Sequence, residues 1–265
     1  MVNSTSSQVK QQACTVEGTA INLLTAGDGE PLLYLHGPEG GGWHPFLTAL
    51  ARNFRVLAPE HPGFGGSEIP EWLDNIHDIA FFYRSFLRQT VGGQAHVVGS
   101  FLGAWIALEI ATKDNRDIAS LSLVAPAGFQ TPGIRKPDTF LWPPEEYVRR
   151  SYLDKAIADR LLKEPMRPEQ EDISLGNRFA TARLAWQPRY FDPHLHKWVH
   201  HIDRPIQVIW GNEDEVFPVA AIEVFKKIVP DARYVTIPRC GHLPQIEKPD
   251  LFVQNIEAFV QEIKS

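Results

Sequence analysis

The sequence predicts an α/β fold, with a mainly parallel, doubly wound sheet carrying helices on both faces and one helical insertion. Three observations support this. Short β-branched or apolar runs alternate with longer amphipathic stretches, the rhythm of strand–helix–strand units. The later runs are almost continuously apolar, as strands covered on both faces are. Between Gly128 and Arg204 the rhythm stops, and it then resumes.

In chain order, strands are expected at Ala20 to Thr25, Pro31 to Leu35, Arg55 to Ala58, Ala95 to Val98, Ile118 to Val124, Ile206 to Trp210 and Arg233 to Ile237. The last five are the runs expected to be buried on both faces. Apolar residues at helical spacing predict helices at Pro45 to Arg52, Asn75 to Gln89, Leu102 to Lys113, Val219 to Ile228 and Asp250 to Ile263. The arrhythmic stretch is rich in Arg, Glu, Trp and Pro. Pro132, Pro137, Pro143, Pro144, Pro165, Pro168 and Pro188 should break it into short helices. The expected organisation is therefore a core of residues 1–128 and 205–265 with a helical cap, 129–204, inserted after the strand Ile118 to Val124.

Composition narrows the function classes. With 265 residues, 43% hydrophobic, seven Trp and fifteen Phe, the chain can bury one sizeable core and still line a pocket with rings. A net charge of −6 offers no basic stripe to phosphates, so nucleic acid is an unexpected partner. Cys14 and Cys240 fit neither a zinc pattern nor a disulfide framework, which points to a reduced, cytoplasmic setting. No cofactor and no metal are expected. Met1 to Lys10 lacks the apolar segment of a secretory signal and reads as a loose terminus, and no apolar run is long enough to span a bilayer.

Four short patterns each follow an expected strand. The first is His36-Gly37-Pro38-Glu39-Gly40-Gly41-Gly42, a glycine-rich loop that can bend sharply under a ligand. The second, Gly99-Ser100-Phe101-Leu102-Gly103, has the frame of a nucleophile elbow, whose middle residue tips a strained strand-to-helix turn. That middle residue is Phe101, which has no lone pair for attack, and Ser100 stands one position early. The third ends Trp210-Gly211-Asn212-Glu213-Asp214 and places a carboxylate at a strand's carboxyl edge. The fourth is Cys240-Gly241-His242. In open α/β sheets ligand sites gather at these edges, so the four loops can converge.

On these motifs, together with Glu60-His61-Pro62-Gly63-Phe64-Gly65-Gly66-Ser67, the chain resembles the α/β-hydrolase fold superfamily over nearly its whole length. It is most similar to the capped subgroup of meta-cleavage product hydrolases, lactonases and esterases. The resemblance implies that His242 is a general base, Asp214 its orienting acid and Phe101 the occupant of the nucleophile position. It also implies that the backbone N–H of Leu102 is one oxyanion donor. The second donor would come from the residue after His36-Gly37, which is Pro38 and has no N–H, unless the loop shifts so that Glu39 or Gly40 donates.

Each candidate has a plainer alternative. Ser100 is either a substitute nucleophile, after a one-residue register shift, or a hydrogen-bonded turn residue. His242 with Asp214 is either a working base or a retained structural pair. His36 fits a loop tie better than a catalyst, Cys240 a buried filler, Glu60 and His61 a turn with its solvated flank, and Arg149 and Arg150 cap surface. Gly37, Trp43, Trp142, Trp186 and Arg189 are expected to contact substrate, with His44, Trp72 and Tyr190 as further candidates.

Losing a triad nucleophile costs on the order of 10⁶ in turnover, and one oxyanion donor roughly 10² to 10³. Hydrolysis through an acyl-enzyme is therefore not expected. Three readings stand: a His-base enzyme without a covalent intermediate, a ligand-binding pseudoenzyme, and a serine-type hydrolase of C–C, ester or lactone bonds whose nucleophile is replaced by Phe101. In each the partner is a small, mostly apolar organic molecule, and the protein is a monomer or homodimer.

Overall fold

The structure is a computed structural model describing residues 8–163 and 165–264. At its centre lies an eight-stranded sheet in the order β1-β2-β4-β3-β5-β6-β7-β8. Its strands are β1 (Lys10–Val16), β2 (Thr19–Ala26), β3 (Glu30–Leu35), β4 (Phe54–Pro59), β5 (Ala95–Ser100), β6 (Ile118–Val124), β7 (Ile206–Gly211) and β8 (Arg233–Ile237). β2 runs antiparallel to β1 and β4, and the remaining neighbours are parallel. All seven expected strands are present within a residue or two of their expected bounds.

β1 departs from expectation, because Lys10 opens a strand and pairs with Thr25 instead of fraying. The rest of the expected loose terminus, residues 1–7, lies outside the described residues. β1 is exposed along most of its length, and an edge strand paired on one side needs no apolar stripe to betray it. β8 corrects the other edge. Expected to be buried on both faces, it is the last strand of the sheet and only Ile237 is fully buried.

Helices cover both faces. α1 (Pro45–Leu50) and α9 (Pro249–Glu262) pack on one side, where Phe46 and Phe252 meet Val98 and Val124. On the other lie α2 (Ile76–Phe86), α3 (Leu102–Lys113) and α7 (Ile222–Ile228). The side chain of Asn75 accepts from the backbone of His77 and Asp78, while Asp78 Oδ2 accepts from Asn75 N, a reciprocal cap that starts α2. Past Phe86 the chain continues as a wider turn, Leu87–Val91, which accounts for the longer helix expected there. α3 is buried on all sides, as a helix caught between a sheet and a further layer must be.

That further layer is the segment between β6 and β7, with α4 (Pro144–Ser151), α5 (Lys155–Lys163) and α6 (Pro168–Ala185). Pro144 and Pro168 start helices here, because the first helical position needs no N–H and favours their fixed φ. α8 (Pro244–Glu247), a single turn the sequence does not announce, follows the His242 loop.

Candidate functional site

Phe101 stands at the tip of the turn from β5 to α3 with φ 46° and ψ −95°, a conformation that L-residues seldom adopt. Such strain costs about 1–3 kcal/mol and persists only where its surroundings enforce it. They do: Phe101 N donates to Val124 O at 2.9 Å, and Phe101 O accepts from Trp105 N at 3.1 Å. The flanking glycines make the turn sterically possible. A Cβ on Gly99 would lie 2.5 Å from Gly103 O, and one on Gly103 2.1 Å from Leu35 O. The elbow frame is therefore built in the register read from the sequence, with a phenyl ring at its tip.

That ring stands edge-on to His242 with centroids 4.9 Å apart, and also contacts Tyr190 at 4.8 Å and Phe217 at 5.7 Å. Ser100 lies on the opposite face of the sheet. It is buried, and its Oγ accepts from Gln245 Nε2 at 3.0 Å. The hydroxyl is thus spoken for by the residue three after His242, not by the imidazole.

His242 Nδ1 and Asp214 Oδ2 are 2.7 Å apart, both fully buried. Asp214 is held in turn: its Oδ1 accepts from Val216 N and Phe217 N, each at 2.8 Å, and Oδ2 from Trp210 Nε1 at 3.1 Å. A carboxylate oxygen fixed by this many donors is held rigid and presents an acceptor to the imidazole. Nδ1 therefore carries the proton toward Asp214, leaving Nε2 as the acceptor. Nε2 is buried and has no hydrogen-bond partner. The loop carrying His242 is pinned to the inserted segment, since His242 N donates to Ser151 O at 2.9 Å. Glu247 of α8 completes the clamp by accepting from Gly241, Leu153 and Asp154 backbone N–H groups at 2.8, 3.2 and 2.7 Å. Sequence reading missed Glu247 and Gln245, whose partners are distant in the chain.

The glycine-rich loop does not shift to supply an oxyanion donor. Gly40 N is spent on Gly37 O at 3.2 Å, closing a turn. The Glu39 side chain folds back so that Oε1 accepts from Gly37 N at 3.2 Å, and its own backbone N–H also supports the carboxylate. Glu39, expected at most as a backbone donor, instead presents its carboxyl group to the site. Enclosure by protein pushes its pKa up, against pulls from its own amide, from His242 and from Gly37. Around it Tyr34, Tyr147, Tyr152 and Tyr190 have pKa values raised first by burial and further by the Glu39 charge. The Tyr147 hydroxyl is buried without a partner. Leu102 opens α3, where backbone N–H groups lack helical partners.

Between this loop and the inserted helices lies a cleft of about 720 Å³, lined by Pro38, Glu39, Phe140, Trp142, Tyr147, Phe179, Trp186 and Tyr190 among others. Trp142, Trp186 and Tyr190, which the sequence offered as substrate contacts, thus line this cleft. A second hollow of about 190 Å³ is floored by Phe101 and includes Arg189, whose guanidinium rests 3.5 Å above the Trp186 ring and pairs with Asp138 at 3.3 Å. Asn177 of α6 fastens the cleft's base, donating to Glu39 O at 3.3 Å and accepting from Gly65 N at 2.8 Å.

Other expected contacts lie elsewhere. Trp43 does not line the cleft; it packs beside the core under α1 and donates to Thr48 Oγ1 at 2.9 Å. Gly37 lies beneath the Glu39 carboxylate, and Trp72 stacks on Phe82 away from the site. His36 is a loop tie, donating from Nδ1 to Gly37 O at 2.7 Å and accepting from His61 N at 3.0 Å. Burial lowers its pKa to about 4. His61 corrects expectation: it is wholly buried, bonded to Tyr83 and to His36 O, and no solvated flank. Cys240 is buried, and desolvation pushes its thiol up to about 12, so it is inert. Arg150 lies over Trp142 at 5.1 Å instead of standing free. Away from the site His77, Glu109 and Asp192 converge, but Lys113 Nζ sits among them, 2.6 Å from Glu109 Oε2 and 3.1 Å from His77 Nδ1. An internal ammonium already supplies the positive charge there.

This architecture recurs in known proteins. The family model for the alpha/beta hydrolase family matches residues 32–255. Lipase 1 of Psychrobacter immobilis is 26% identical over 253 residues, covering 87% of this chain and 77% of the lipase. The 2-hydroxymuconate semialdehyde hydrolase of Pseudomonas sp. (strain CF600) is 28% identical over 260 residues, covering 92% of each chain. Among solved structures, a 2-hydroxy-6-oxo-6-phenylhexa-2,4-dienoate hydrolase from Rhodococcus sp. strain RHA1 superposes with a TM-score of 0.77 at 21% identity, over 96% of this chain and 99% of that one. No helix among the described residues is long and apolar enough to cross a membrane. With an eight-stranded, mainly parallel sheet, the elbow turn after β5 and a family match over most of its length, the chain belongs to the alpha/beta hydrolase family.

Proposed function

We propose that this member of the family holds a small, mostly apolar organic molecule in the cleft beneath the inserted helices, residues 129–204 acting as a cap, without forming an acyl-enzyme. The observation that carries the reading is the Phe101 ring standing against His242, whose Nε2 is buried and unpartnered. A base sealed under a phenyl ring has no nucleophile to deprotonate. The oxyanion side agrees, because Pro38 has no N–H and the amides of Gly40 and Glu39 are engaged within the loop. What remains is a concave, aromatic-walled site with a few polar groups, the usual make-up of a ligand pocket.

The test is twofold. Neopentylbenzene, a neutral apolar aromatic, should quench the intrinsic fluorescence of the protein, and Trp186→Ala should weaken its binding several-fold. An organophosphonate probe should leave no adduct on Ser100 by mass spectrometry. A phosphonylated Ser100, or no saturable binding by folded protein, overturns the reading.

A second reading rests on the same orphaned Nε2. A buried acceptor without a partner costs roughly 1–3 kcal/mol, and a donor on a ligand would recover that. His242, oriented by Asp214, would then act as a non-covalent base once a ligand displaces the Phe101 ring. Turnover of a bound ligand by the wild type that is lost in His242→Ala favours this second reading.

A further inference from the structure

We infer that the cleft selects organic ammonium compounds, with the Glu39 carboxylate as counter-ion and the surrounding rings as a cage for the cation. This rests on the reading above that the cleft binds an apolar molecule, and it specifies that molecule's charged end.

Glu39 contributes the only carboxylate among the described residues lining the cleft, within electrostatic reach of His242. Among the described residues, the carboxylate's one hydrogen bond to another residue comes from Gly37 N, and no Lys or Arg there pairs with it. Nearby arginines pair with other acids: Arg189 through Nη2 with Asp138, its Nη1 being buried without a partner, and Arg150 with Glu146 and Glu215. The titratable groups within electrostatic reach of Glu39 are Tyr34 from β3, Tyr147 and Tyr152 from α4 and its end, Tyr190 from beyond α6, and the His242 imidazole from the loop after β8. Arg178, at the cleft rim on α6, donates to Trp142 O at 3.2 Å. The carboxylate is fixed by Gly37 N, so it is presented to the cleft in one orientation.

The walls suit the same ligand. Phe140, Trp142, Tyr147, Trp186 and Tyr190 line the cleft, and Phe140 stacks on Tyr190 at 4.9 Å and meets Trp186 edge-on at 5.2 Å. Ring faces attract cations most strongly where water is excluded. These rings already do so, because the Arg189 guanidinium lies over Trp186 and Phe140, and that of Arg150 over Trp142. An ammonium group beside Glu39 would meet its carboxylate and π faces together, while the ligand's apolar body fills the remaining cleft. A carboxylate ligand would meet Glu39 as a like charge.

The experiment compares three probes of similar size on the full chain by titration calorimetry at pH 7.5: benzyltrimethylammonium, its neutral isostere neopentylbenzene, and phenylacetate. The wild type should bind the cation at least about tenfold more tightly than either other probe, a factor within the range of one desolvated cation–π and ion-pair contact. Glu39→Gln, which keeps an oxygen for Gly37 N, should reduce cation binding to the level of the neutral probe and leave neopentylbenzene unchanged. Equal affinities for cation and isostere in the wild type, or a cation preference that survives Glu39→Gln, overturns the inference while leaving the ligand-binding reading in place. Failure of all three probes to bind folded protein overturns both.

Discussion

The two halves of the site have different fates. On the β7 and β8 side a closed hydrogen-bond network is built: Asp214 accepts from four donors, His242 among them, and Glu247 clamps the loop. On the β3 and β5 side the strained turn of an elbow is built with a phenylalanine at its tip. The elbow strain is present at Phe101 and the close-approach glycines remain, with a phenyl ring at the tip, Pro38 after Gly37 and the Glu39 carboxylate over the loop. The difference shows that scaffold and chemistry are separable: buried hydrogen bonds stabilise the fold whether or not a reaction follows, whereas a nucleophile contributes nothing to packing.

The largest effect should come from rebuilding the disarmed half. Phe101→Ser alone is expected to raise aryl-ester, lactone or vinylogous β-diketone hydrolysis by less than about 10³, because the oxyanion side stays defective. Adding Pro38→Ala and Glu39→Ala to free the loop amides should raise it by roughly 10² more. If Phe101→Ser by itself restores on the order of 10⁵, the two halves do not differ as argued, and the chain is a serine hydrolase with one residue replaced. The intact half makes the converse prediction about stability. Asp214→Ala strands the N–H groups of Val216 and Phe217 and the His242 ring, and should cost about 3–5 kcal/mol in urea unfolding. A loss under about 1 kcal/mol would mean that this network is not structural.

The contrast also explains what was legible in the sequence. Parallel strands buried on both faces, such as Val97 and Val98 in β5 or Val208 and Ile209 in β7, declare themselves by uninterrupted apolar runs. β1 does not, since its pairing is made by backbone alone. Local motifs fixed Phe101, Asp214 and His242, because a turn's geometry is written in adjacent residues. Contacts that depend on where distant side chains end up were not legible. Glu39 was read for its amide, and only the fold shows its carboxylate turned over Gly37, within electrostatic reach of tyrosines from three separate segments. Trp43 misled for the same reason, an aromatic beside the right loop that packs to the other side.

Acid should loosen the glycine-loop side through its buried histidines. Buried His36 has its pKa lowered to about 4, below its unfolded value of 6.5, so the unfolded chain binds the extra proton between them. Its contribution is complete above pH 6.5 and lost as pH falls toward 4, on the order of 3 kcal/mol in full and about 2 kcal/mol by pH 5. His61, lowered well below 6.5 by burial, acts in the same direction. Glu39, raised by burial, has the opposite sign, its unfolded form releasing a proton more readily. Urea unfolding at pH 7.5 and pH 5 should therefore show a steeper acid loss in the wild type than in His36→Asn, which keeps a donor and an acceptor but does not titrate. Parallel pH profiles would place the acid sensitivity elsewhere.

The smallest effect belongs to Ser100 and separates frame from chemistry most cleanly. Its Oγ accepts from Gln245 Nε2 on the far face of the sheet from Phe101, so Ser100→Ala leaves one buried donor unpaired. The expected cost is about 1 kcal/mol in urea unfolding. Any slow ester hydrolysis by the wild type should be unchanged, because nothing in that hydroxyl's position lets His242 take its proton. If Ser100→Ala abolishes residual hydrolysis that His242→Ala also abolishes, then the elbow slips by one residue in solution to bring Ser100 to the tip. The φ of 46° at Phe101 argues against this, since strain enforced by Val124 O, Trp105 N and two contact glycines is costly to move by a residue.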